Sequence, residues 1–69
     1  MFVPKIKTFR VTFKRGGMIV SEGDFRAMFP VMAIGAARDA LESQNARVKA
    51  GETVGIVVEN YDTVSAVAL

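Results

Sequence analysis

The sequence contains no cysteine, no histidine and no tryptophan. Without cysteine there is no disulfide and no thiolate metal site, and without histidine the commonest transition-metal ligand and general base are missing. No metal and no cofactor are therefore expected. Because the usual nucleophiles and bases are absent, we predict that the protein is not an enzyme and has no catalytic residues.

Long apolar runs are also missing. The longest apolar-rich stretch, 27–37, contains Pro30 and Gly35 and falls well short of the ~20 residues that a membrane-spanning helix needs. In a signal peptide an apolar segment follows the basic N-terminal residues. No such segment follows the basic residues near the N-terminus of this chain. These absences predict no membrane partner and a cytoplasmic location.

At 69 residues the chain has room for a single small domain, 1–69. Hydrophobic residues make up 51% of it, which excludes a disordered tail. Small domains are usually stabilised by disulfides, by a metal or by association, and only association is left open here. The expected partner is therefore a second copy or another protein.

Charge is unevenly distributed along the chain. Residues 1–20 hold five basic residues and no acid, whereas residues 21–69 hold four basic and seven acidic residues, which gives +5 and −3 within a net charge of +2. The five basic residues are Lys5, Lys7, Arg10, Lys14 and Arg15. Parts of opposite charge also offer a way for copies to associate head to tail.

Residues 5–21 have the pattern of a basic β-hairpin. Phe9, Val11 and Phe13 alternate with polar residues, which predicts a strand with one buried and one solvent-exposed face. Gly16-Gly17 is typical of a two-residue turn in which both residues have positive φ. Such a turn pairs Arg15 with Met18, Lys14 with Ile19, Phe13 with Val20 and Thr12 with Ser21.

Residues 24–45 are predicted to be helical. The segment 21–24 offers capping residues and acids, and Phe25, Met28, Phe29 and Met32 recur at i, i+3, i+4 and i+7. Pro30 inside a helix would cost about 3 kcal/mol, but in a first turn it costs little. The simplest prediction is a helical turn at 24–28 and a main helix from Pro30 to Asn45, and the alternative is one kinked helix.

A C-terminal hairpin, 53–69, completes the predicted fold. Residues 53–59 are apolar enough for a central strand, residues 60–63 have turn chemistry, and residues 64–69 form the last strand. The resulting order is β-β-α-β-β. It predicts an α+β domain with one helix packed on a mostly antiparallel sheet.

The basic hairpin is the leading candidate for a binding site. Arg10 and Lys14 lie on its exposed face, and the other candidates are Lys5, Lys7 and Arg15. A two-stranded ribbon of this charge is suited to nucleic-acid phosphates, DNA or RNA, with binding that weakens as salt rises. The alternative interpretation is an edge hairpin whose charges prevent aggregation.

The second candidate site is the apolar set Phe25, Met28, Phe29 and Met32. A core of this size can hardly bury these side chains together with two apolar hairpins, and Met and Phe are enriched at protein interfaces. The set is either ordinary core or the contact surface of a protein-interaction or structural-assembly subunit, such as a small accessory protein of the phage type. The carboxylate pairs Asp39/Glu42 and Glu59/Asp62 are interpreted as an exposed helix face and a turn.

Overall fold

A computed structural model describes residues 5–69, and the first four residues of the predicted domain 1–69 lie outside this range. In chain order the elements are β1 (Lys7–Arg15), β2 (Met18–Ala27), α1 (Pro30–Lys49) and β3 (Thr63–Ala68). The strands form one antiparallel sheet in the order β2-β1-β3, with α1 packed on one face. The predicted α+β class is confirmed, with three strands in the described part of the chain rather than four.

The β1–β2 hairpin turns at Gly16 and Gly17, whose φ angles are +57° and +81°, as the predicted turn requires. The pairs Arg15–Met18 and Lys14–Ile19 are confirmed. Beyond them the register shifts because Val20 is an extra residue in β2. The predicted pairs Phe13–Val20 and Thr12–Ser21 are therefore wrong: Phe13 lies opposite Ser21, and Thr12 lies opposite Glu22.

The predicted helical turn at 24–28 is also wrong, because β2 continues to Ala27. Phe25 lies opposite Phe9, and Asp24 lies opposite Arg10. β1 offers a full-length strand edge with which these residues can pair. That non-local pairing outweighs the local preference of the segment for a helix start.

Helix α1 begins at Pro30, as predicted, with the proline in the first turn where no N–H is needed. It ends at Lys49 rather than at Asn45. The end is set by Gly51, which has a φ of +77° and donates its N–H to the Val48 carbonyl at 3.1 Å. The Glu52 N–H reaches the Arg47 carbonyl at 2.9 Å, which completes a Schellman motif.

The segment between α1 and β3 is irregular, so the predicted strand at 53–59 is wrong, and with it the pairing of a C-terminal hairpin 53–69. The predicted last strand, 64–69, is confirmed as β3. The Asn45 side chain donates to the Val58 carbonyl at 2.7 Å and accepts from the Val58 N–H at 3.0 Å. These are the two backbone groups that a strand would use for pairing. β1 already has a strand on each side, so no central position in the sheet remains.

The core lies between the sheet and α1. It consists of alternate residues of β1, the end of β2 and one narrow stripe of α1, namely Phe9, Val11, Phe13, Ala27, Ala33, Ala37 and Leu41. The small stripe residues Ala33 and Ala37 let the helix approach the sheet closely, whereas Ala36 and Ala40 are exposed. Within residues 5–69, no helix combines the length and the apolar character needed to cross a membrane.

Candidate interaction surfaces

The five predicted phosphate-binding residues lie in three different settings. Arg10 and Lys14 are on the sheet face opposite α1, here called the open face, because they alternate with the buried side chains of β1. Lys7 and Arg15 have the opposite parity and lie exposed at the two ends of β1, and Lys5 precedes the strand. Of the five, only Arg10 and Lys14 therefore lie on the open face of the sheet.

Arg10 is paired with an acid from the neighbouring strand. Its Nε donates to Asp24 Oδ1 at 2.9 Å, and its Nη2 donates to Asp24 Oδ2 at 3.2 Å. The hydrogen bond from Arg10 is the main cause that lowers the pKa of Asp24, and the same bond raises the pKa of Arg10. One row along, the Thr12 hydroxyl donates to Glu22 Oε2 at 2.7 Å. The open face thus carries both signs of charge.

The acids on the open face were predicted to start a helix, and a sequence signal for their true position existed. Glu22 and Asp24 alternate along β2 and lie opposite Thr12 and Arg10. Continuing the hairpin ladder past one bulge places an acid directly opposite Arg10, and such cross-strand ion pairs are favourable. One of the basic charges, that of Arg10, is therefore offset within the hairpin itself.

The Asp24 carboxyl is expected to titrate below its ordinary pKa in an NMR pH titration, because Arg10 stabilises its charged form. The folded-state pKa lies below the unfolded one. The ion pair therefore stabilises the fold at pH values above the pKa that Asp24 has in the unfolded chain. This contribution is lost as the pH falls through the pKa of Asp24 in the folded chain. Arg10→Gln should raise the pH midpoint of the Asp24 titration. Arg26→Gln removes a positive charge from the same face and should leave this midpoint unchanged. An unchanged midpoint in Arg10→Gln would contradict the pairing.

The predicted apolar set does not form one helix face. Phe25 lies on β2 and is half-buried against the core. Met28 and Phe29 lie in the connection between β2 and α1, and Met32 lies in the first turn of α1. These last three side chains are 39%, 49% and 48% exposed, so the ordinary-core interpretation does not hold for them.

Val31 extends this exposed set, with 73% of its surface accessible. We call Met28, Phe29, Val31 and Met32 the corner patch. Val31 falls outside the i, i+3, i+4 spacing and was not predicted. The signal that could have found it is the complete lack of charge from Ala27 to Ala37.

The backbone at the corner is well defined. Phe29 precedes a proline and is extended, with φ −133° and ψ 151°, as the residue before proline prefers. Its carbonyl accepts the N–H groups of Met32 and Ala33 at 3.1 and 3.3 Å. Because Ala33 faces the sheet, its neighbours Val31 and Met32 are turned toward solvent.

The remaining carboxylates are accounted for by local structure. Asp62 Oδ2 accepts the Gly16 N–H at 2.8 Å and so ties the start of β3 to the hairpin turn. Glu59 pairs with Lys49, and Asp39 and Glu42 are exposed on α1. Over the described residues, no group of three or more acidic, histidine or cysteine side chains is placed to hold a metal ion.

The two candidate sites expected from the sequence thus correspond to two surfaces of the described residues. The open face presents the Arg10–Asp24 ion pair and the Thr12–Glu22 hydrogen bond, and the corner patch presents exposed apolar side chains next to an uncharged helix turn. No family model, curated protein or solved structure matches this chain.

Proposed function

We propose that the protein is a structural-assembly subunit that binds a second copy of itself through the corner patch. The observation that carries this proposal is the exposure of four large apolar side chains on a segment without charge. Apolar side chains that cluster on the surface are typical of interaction sites, and Met and Phe are enriched in such sites.

A second copy suits the corner patch because it carries no charge. In a twofold-symmetric contact the same patch of each subunit faces its copy, so a patch with charges of one sign would repel itself. The uncharged surface continues along α1 through Gly35 and Ala36, which are exposed and small enough to let another helix approach. A small domain without disulfides also gains stability from association.

Met32→Glu is the direct test of this contact. Two copies of the new carboxylate would be brought together and desolvated, which costs several kcal/mol. At 1.4 kcal/mol for each factor of ten, we expect association through the corner patch to weaken about 100-fold or more, as measured by sedimentation equilibrium. Ser43→Glu makes the same charge change on an exposed site farther along α1 and should leave the dimerisation constant nearly unchanged.

The proposal also predicts that Met32→Glu keeps the circular dichroism spectrum of the native chain, since Met32 is outside the core. A native chain that stays monomeric at millimolar concentration would overturn the proposal. So would a Met32→Glu variant that associates as strongly as the native chain.

Binding of nucleic-acid phosphates stays a prediction and is the rival function. Lys14 and Arg10 are its two residues on the open face, and the Arg10 charge is engaged by Asp24. A mobility shift of duplex or single-stranded DNA or RNA that is lost with rising salt and in Arg10→Glu/Lys14→Glu would favour the rival. If no mobility shift occurs at micromolar protein, nucleic-acid binding is ruled out as the function.

A further inference from the structure

The two edge strands of the sheet differ in how they are protected. β2 carries Glu22, Asp24 and Arg26 and is interrupted by the bulge at Val20. β3 has no charge, no proline and no bulge over its six residues, TVSAVA. Charges, prolines and bulges are the usual means by which proteins keep an edge from pairing with another chain. β3 is therefore the edge that is open to such pairing.

The backbone groups that β3 offers can be assigned from its pairing with β1. The Leu69 N–H donates to the Thr8 carbonyl at 2.9 Å, in register with the pairs Arg10–Val67 and Thr12–Ser65. Hydrogen-bonded and non-bonded pairs alternate in an antiparallel ladder. Ser65 and Val67 therefore direct their N–H and C=O groups toward β1.

The alternate residues of β3 direct their backbone groups away from the sheet. They are Val64, Ala66 and Ala68. Within residues 5–69, no loop, helix or side chain forms a hydrogen bond with these groups. The result is a row of donors and acceptors with the spacing of a strand and no partner in the described chain.

We propose that β3 pairs antiparallel with β3 of a second copy and joins two three-stranded sheets into one of six strands. The twofold axis of such a pair is perpendicular to the sheet and passes midway between the two copies of one residue. Centring it on Ala66 places Val64 opposite Ala68 of the other copy and engages all three outward-facing residues of each strand. Centring it on Ser65 leaves Ala68 unpaired, since Asp62 turns its N–H inward to Lys14.

The paired arrangement is compatible with the rest of each subunit. The axis keeps both α1 helices on the same side of the sheet. The two β1 strands lie three strand spacings apart, about 14 Å. Helices packed over β1 are thus farther apart than the 8–10 Å of directly packed helices and do not collide. On the open face Ser65 lies opposite Val67 of the other copy, and no charges of like sign meet.

This pairing does not depend on the corner patch, which follows β2, the other edge strand. If both contacts form, each subunit has two different self-contacts, and assembly extends beyond the dimer. The two contacts are separable by substitution. Met32→Glu should leave dimers joined through β3, and a variant that blocks β3 should leave dimers joined through the corner patch.

Amide hydrogen exchange of the Met32→Glu protein, followed by NMR at rising concentration, tests the pairing. We expect the Val64, Ala66 and Ala68 amides to gain protection as dimer forms, whereas Ser65 and Val67 are protected at every concentration. Fast exchange of the three outward amides at millimolar protein would overturn the proposal. So would a dimer in which these three amides remain exposed.

Two substitutions on β3 provide independent checks in the same Met32→Glu background. Ala66→Pro removes an outward donor from each copy without removing a bond to β1, and dimerisation should weaken about tenfold or more. Val67→Lys adds an edge charge on the open face, where Val67 is 60% exposed, and should weaken dimerisation without unfolding the subunit. Unchanged dimerisation in Val67→Lys would contradict the pairing, even if Ala66→Pro failed to fold.

Discussion

Phe13→Ala is expected to lower the free energy of unfolding by about 3–5 kcal/mol, a large share of the total. Phe13, near the end of β1, is 2% exposed, and its ring meets Tyr61 edge to face with centroids 4.8 Å apart. Removing a buried Phe side chain costs about 3–5 kcal/mol. At about 0.05–0.15 kcal/mol per residue, a 69-residue chain has a total of roughly 3–10 kcal/mol to lose. Urea denaturation followed by circular dichroism measures the change.

Phe29→Ala is the matched control, since it removes the same side chain from the corner patch. Phe29 is 49% exposed, so truncating it should change the free energy of unfolding of the monomer by about 0.5 kcal/mol or less. The comparison is made at a protein concentration where the chain is monomeric, because association adds to apparent stability. Equal losses in Phe13→Ala and Phe29→Ala would show that Phe29 belongs to the core and would contradict the corner patch.

Asn45→Ala is expected to release the segment between α1 and β3. The Asn45 amide alone bonds both the N–H and the C=O of the half-buried Val58. A polar group that loses its partner costs about 1–3 kcal/mol, so leaving both unpaired should destabilise the fold by about 2–4 kcal/mol. In Asn45→Ala the Val58 amide should also exchange its hydrogen with solvent faster than the amides of the β1–β2 ladder do.

Two further variants separate this effect from a general loss of helix stability. Gln44→Ala changes the exposed neighbour of Asn45 on α1 and should leave both the stability and Val58 exchange nearly unchanged. Asn45→Asp keeps the acceptor but places a carboxylate against the Val58 carbonyl, so it should destabilise the fold as well. If the Val58 amide of Asn45→Ala exchanges as slowly as in the native chain, Asn45 does not hold the segment between α1 and β3.

Local signals predicted the parts of the fold that depend on a few neighbouring residues. The alternation of Phe9, Val11 and Phe13 identified β1, Gly16-Gly17 identified the turn, and Pro30 marked the start of α1. Each of these features is decided within a few residues by pleat, by positive φ or by a missing N–H. The structure agrees at each of them.

Non-local contacts decided the parts that the sequence analysis predicted wrongly. Helical spacing of Phe25 and Met28 was misleading because β1 supplied a strand partner as far as Ala27. The apolar stretch at 53–59 did not form a strand because the Asn45 amide, from α1, takes both backbone groups of Val58. Neither partner is visible within the segment whose structure it determines.

The same division applies to the candidate surfaces. The basic residues and the apolar set were visible in the sequence, but their environments were not. Pairing across the sheet placed Asp24 beside Arg10, and a narrow helix stripe left Met32 exposed.

By itself, therefore, the sequence determined the class of the domain, the hairpin turn and the start of the helix. The tertiary structure alone decided the extent of β2, the strand order and which charges are neutralised. It also decided which apolar side chains and which strand edge stay uncovered. The physical reason is that burial and backbone pairing depend on partners distant in sequence, whereas turns and caps depend on adjacent residues.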